Sequence, residues 1–227
     1  MSSRRNGPLL LLAGGAIAAV ALTHLLDFGL YGLDYRVFNA NLSASWSHVV
    51  DAGALVAGAV VCLLGSARLH AQRAAWVGST VVLGLFAVDE LSGLHADIDS
   101  VDYGKLVYAP ALVLLVYCVW RLTRGGAYRA CAQACGALLL ASYVIHVLDP
   151  HNIARALGWP VGGWGFQIVV ALKEGMELAG VLLALWALTG TMIAATRSEH
   201  PRHLGWRSRG APGATRPAAT SSRHAGR

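Results

Sequence analysis

The chain has 227 residues, 56% of them hydrophobic and 13% charged, with a formal net charge of +6 and a mean hydropathy of +0.52. A soluble domain carries roughly 25% charged residues, so this composition excludes an ordinary soluble enzyme, a disordered chain and a disulfide scaffold. The apolar residues fall in blocks of about 20, the length that crosses a bilayer. The expected fold class is therefore all-α, a polytopic membrane bundle of six transmembrane helices.

In chain order, the first span covers about residues 8–32 and carries His24 and Asp27. Arg4-Arg5 ahead of it and Ala19-Val20-Ala21 within it resemble a secretory signal with its cleavage site. The apolar character continues to Tyr31, however, which predicts an uncleaved helix. Span two, about 47–67, opens on His48 and Asp51. Span three, about 75–96, ends in Asp89, Glu90 and His95, with Asp97 just beyond. Span four, about 104–122, has neither carboxylate nor histidine and is expected to pack on the outside of the bundle. Span five, about 129–149, closes on His146 and Asp149. Pro150 and the glycines up to Gly165 then predict a loop. Span six, about 165–193, carries Lys173, Glu174 and Glu177. Residues 1–196 thus form the membrane domain. Residues 197–227, rich in Arg, Ala, Gly, Pro and Ser, predict a basic, disordered tail resting on anionic lipid headgroups. Nothing beyond charge points that tail to nucleic acid, and no nucleic-acid partner is expected.

Charge orients the bundle. Fourteen of the 18 basic residues lie before span one, between spans two and three, between spans four and five, or after span six. By the positive-inside rule those segments and both termini are cytoplasmic. Of the 12 acidic residues, Glu199 alone falls on that side. The expected location is the bacterial cytoplasmic (inner) membrane. Trp46, Trp159 and Trp164 map to outer boundaries and Trp76 and Trp120 to inner ones, where amphipathic rings are favoured. Cys62, Cys118, Cys131 and Cys135 map to the cytoplasmic half and read as reduced packing residues.

Ionisable groups inside spans are costly and are functional candidates for that reason. One pattern occurs three times: His24-x-x-Asp27, His48-x-x-Asp51 and His146-x-x-Asp149. Residues three apart share a helical face, so each pair presents an imidazole beside a carboxylate. All three map to the outer half of the membrane. Spans three and six add Glu90 and His95, and Glu174 and Glu177. The expected result is an outward-opening polar funnel walled by spans one, two, three, five and six. Its donors, His24, Asp27, His48, Asp51, His95, His146 and Asp149, suit a divalent metal such as Zn, Fe or Mn. Each pair taken alone also reads as a hydrogen-bonded helix-boundary pair, and Lys173 as a neutraliser of Glu174 or Glu177.

Asp89-Glu90-x4-His95 in span three and Glu174-x-x-Glu177-x-x-Gly180 in span six resemble a family of short bacterial multi-pass membrane proteins of unknown function. In that family the first motif continues into a carboxylate and the second begins with one. Here Ala96 and Lys173 stand at those two places. The resemblance implies that these positions belong to one site and supplies no reaction.

Four functions remain open. A metal-dependent membrane enzyme would use bound metal to activate water, with Glu90, Glu174 or Glu177 as acid or base. A proton- or cation-coupled transporter would use Lys173, Glu174 and Glu177 as a midplane switch. The apolar inner halves of spans five and six disfavour that conduit. A haem protein would take two of the histidines as axial ligands, and a scaffold would use the polar groups only to hold helices together.

Overall fold

A computed structural model describes residues 7–40, 42, 45–92 and 104–199. Among these there are seven α-helices, one 3-10 turn and no strand. We label the helices α1 (Gly7–Tyr31), α2 (Trp46–Arg68), α3 (Arg73–Ser92), α4 (Tyr108–Thr123), α5 (Arg129–Leu148), α6 (Pro150–Ala156) and α7 (Trp164–Glu199), with the 3-10 turn Gly104–Val107 ahead of α4. Five of them, α1, α2, α3, α5 and α7, are long and apolar enough to cross a bilayer, and α4 is a shorter apolar helix. Their outer faces carry exposed aliphatic residues, such as Leu11, Leu22, Val49 and Leu85. In water such a surface would drive association; facing lipid it is at ease. The chain is an integral membrane protein.

Helix ends follow local chemistry. Ser45 caps α2, its Oγ accepting from the His48 N–H at 3.4 Å. Short connections at 69–72 and 124–128 make α2/α3 and α4/α5 antiparallel neighbours. The region after Asp149 differs from the expected loop. Asp149 takes a left-handed φ of 66°, its side chain accepts from the His151 N–H at 2.9 Å, and Pro150 occupies the first turn of α6. Proline is tolerated there because a first-turn N–H has no intrahelical partner to lose. The loop is thus split by a seven-residue helix.

Helix α7 is the central post, packed against α1, α2, α4 and α5. Small residues allow close approach, since dispersion rather than water release draws helices together in lipid. A Cβ on Gly175 would stand 3.0 Å from the backbone of Ile17 in α1, and one on Gly180 would stand 2.6 Å from Leu139 in α5. Below that level lies the main apolar core, with Cys62, Leu83, Leu115, Cys131, Cys135, Leu183 and Leu188 all buried.

The wall order also departs from the expectation. Helix α4 is itself a wall of the cavity, burying Leu112, Leu115, Val119 and Leu122 against its neighbours while Val113, Leu114 and Tyr117 stay exposed. Its lack of charge reflects an apolar inward face, not an outer position. Helix α1 is the peripheral one and runs along α7.

Candidate functional site

One cavity of about 130 Å³ opens among α2, α3, α4, α5 and α7. It lies toward the end of the bundle where α2 and α4 begin and α3 and α5 finish. Helix α2 contributes His48 and Asp51, one turn apart on the same face. Helix α3 contributes Asp89 and Glu90 from its last turn, and α4 contributes Tyr108 from its first. Helix α5 brings Ser142, Tyr143 and His146; α7 brings Lys173, Glu174 and Glu177. At 1.5 Å per residue the α7 groups lie roughly 14–20 Å beyond Trp164, well inside the apolar length of that helix.

Glu90, His48, Glu174, Lys173, Glu177 and Ser142 form one chain of polar contacts. His48 lies between two carboxylates, with Nδ1 3.5 Å from Glu90 Oε1 and Nε2 3.9 Å from Glu174 Oε2. Lys173 Nζ donates to Glu174 Oε1 at 2.7 Å and lies 3.9 Å from Glu177 Oε2. Ser142 Oγ donates to that same Glu177 oxygen at 3.3 Å. On the opposite wall the Tyr108 hydroxyl donates to Asp89 Oδ1 at 3.0 Å. Asp51 is only 6% exposed, and its Oδ1 has no hydrogen-bond partner among the described residues. A buried carboxyl oxygen without a hydrogen-bond partner is expensive. Five carboxylates therefore line the cavity beside one lysine and two histidines.

The three His-x-x-Asp pairs meet different fates. Only His48 and Asp51 both line the cavity. His24 and Asp27 do not reach it; they hold the segment after α1 in place. His24 is fully buried, with Nδ1 accepting the Ala40 N–H at 3.1 Å and Nε2 2.9 Å from Gln167 Oε1 in α7. Because Nδ1 accepts, the proton lies on Nε2, which donates to Gln167. Asp27 Oδ1 accepts the Tyr35 N–H at 3.3 Å. Buried backbone donors of an irregular segment need such acceptors, and no residue of α1 lines the cavity. His146 lines the cavity, while the Asp149 carboxylate turns to cap α6 and faces His151 Nδ1 at 3.0 Å. His95 lies outside the described residues, as do Asp97, Asp99 and Asp102.

Glu90, Glu174 and Glu177, the sequence candidates for acid-base work, all reach the cavity. Of the proposed metal donors that are described, His48, Asp51 and His146 line the cavity and His24, Asp27 and Asp149 do not. Among the described residues no group of three or more His, Cys, Asp or Glu is arranged to hold a metal ion. Glu174 is engaged by Lys173, and His48 stands in the gap between Glu174 and Glu90. Tyr108, Ser142 and Tyr143 escaped the sequence reading because single hydroxyls in apolar spans carry no periodic signal. Tyr108 and Ser142 become visible only through their carboxylate partners. The chain matches no protein-family model, no curated protein and no solved structure.

Proposed function

We propose that this protein binds a cation in a membrane-embedded cavity open to the outer face of the bacterial cytoplasmic membrane. Six helices would cross the bilayer, α4 with its preceding 3-10 turn serving as the fourth, and both termini would be cytoplasmic. The observation that carries the binding assignment is Asp51, whose buried Oδ1 has no hydrogen-bond partner among the described residues, on the wall of a cavity in which carboxyl groups outnumber cationic side chains. A low-dielectric site with that imbalance attracts positive charge strongly. The apolar residues beneath the polar groups support a site that holds its ligand over a conduit through the membrane.

A divalent metal, Zn, Fe or Mn, would need Glu174 to leave Lys173 before Asp51, Glu90, Glu174 and His48 could gather round it. Elemental analysis of protein purified without chelator tests for such a resident ion. The broader test is calorimetric titration of the protein in nanodiscs with Mn²⁺, Zn²⁺ and methylammonium. At least one should bind, and Asp51→Asn should weaken it by about tenfold or more, as expected for loss of a charged partner. Wild-type protein that binds none of the three overturns the proposal.

A further inference from the structure

The cavity is divided by depth. On α2, His48 and Asp51 are followed one turn deeper by Leu55; on α7, Glu177 is followed by Val181. On α5, descending from His146, Tyr143 and Ser142 lead to Leu139, and on α4 Tyr108 leads to Leu112 and Leu115. Four walls change from polar to aliphatic in the same direction, the aliphatic lining beginning one helical turn, about 6 Å, below Asp51 and Glu177. A bare metal ion or proton has no use for such a chamber. An apolar end with a charged head fills both halves.

The head chemistry is also displayed in the site. Lys173 is an ammonium on a hydrocarbon stem, and its Nζ lies 2.7 Å from Glu174 and 3.9 Å from Glu177. Among the described residues Asp51 Oδ1 remains without a hydrogen-bond partner. Phe86, Tyr108 and Tyr143 supply aromatic walls nearby, whose faces attract cations.

Building on the cation-site reading, we propose that the ligand is a small amphiphilic amine. Its ammonium pairs with Asp51 in the ring of carboxylates, and its short alkyl chain enters the chamber formed by Leu55, Leu112, Leu115, Leu139 and Val181. Each methylene moved from water into that chamber tightens binding by about three- to fourfold, until the floor is reached.

Titration of the full-length protein in nanodiscs with methyl-, n-butyl- and n-hexylammonium tests this, with n-butyrate as the anionic control. Affinity should rise along the amine series, and butyrate should not bind. Asp51→Asn should weaken saturable amine binding by about tenfold or more, and Leu115→Phe, which fills the chamber, should flatten the chain-length dependence. Leu115→Phe keeps the proposal falsifiable if the Asp51 variant does not fold. Equal affinity for methyl- and hexylammonium, or binding of Mn²⁺ alone, overturns the amphiphile inference and leaves a cation site standing. Hexylammonium binding that is as tight in Asp51→Asn as in the wild type reports partition into lipid and overturns it as well. Binding of neither amine nor metal removes both proposals together.

Discussion

His24 shows how much one buried imidazole can hold. It joins three segments: its own helix α1, the chain at Ala40 and the α7 residue Gln167. Trp46 adds a second tie, its Nε1 donating to Thr23 Oγ1 at 3.0 Å. Truncating His24 leaves a buried N–H and a buried amide oxygen unpaired, at a cost of about 1–3 kcal/mol. We therefore expect His24→Ala to lower the Tm in detergent while cation binding in the cavity persists; an unchanged Tm would show that the junction carries no stability. The same histidine explains why the recurrent His-x-x-Asp spacing was only partly informative. Spacing fixes which residues share a face and says nothing of what the facing element supplies. His48 and Asp51 face other ionisable groups, whereas His24 and Asp27 face bare backbone N–H groups of their own connection. Asp149 carried a legible signal of another kind: an acidic residue directly before proline is a helix N-cap pattern. The glycines that follow pointed to a loop instead.

At the level of elements, contact between α5 and α7 depends on the absence of a side chain at Gly180. Leu139 occupies the space that a Cβ would fill. Gly180→Val must push the helices apart or force Leu139 from its rotamer, at a cost of about 1–3 kcal/mol. Thermal unfolding in nanodiscs should show the loss, and a neutral result would mean that the two helices slide freely. Helix extents were legible because long apolar runs bounded by charge and glycine leave little choice. The order of helices around the cavity was not. An ionisable side chain marks a helix as useful, but an uncharged helix such as α4 serves equally well when the wall it builds must be aliphatic. Leu112 and Leu115 are three apart and Val119 four further on, a spacing that places one apolar stripe inward. Apolar residues on the lipid side obscure that stripe.

For the whole molecule, the orientation can be tested with thiol chemistry. All four native cysteines are buried, so an impermeant maleimide should label introduced cysteines selectively. In intact cells Val161→Cys should react and His70→Cys should react only after permeabilisation; the reverse pattern inverts the proposed topology. The charge distribution is what proposes that topology, because the rule acts on loops and needs no knowledge of packing. A cavity assembled from five helices gave no such local sign, since its shape depends on contacts between distant segments. The unequal helix lengths carry a last consequence. Helix α4 has 16 residues and α7 has 36, or about 24 Å against about 54 Å. A hydrocarbon layer of about 30 Å lets α7 tilt or project, whereas α4, if it crosses as proposed, would reach across only with the added length of its 3-10 turn. A thicker bilayer would then load the cavity wall at its shortest member first, and acyl-chain length would act on the space beside Tyr108 and Leu112.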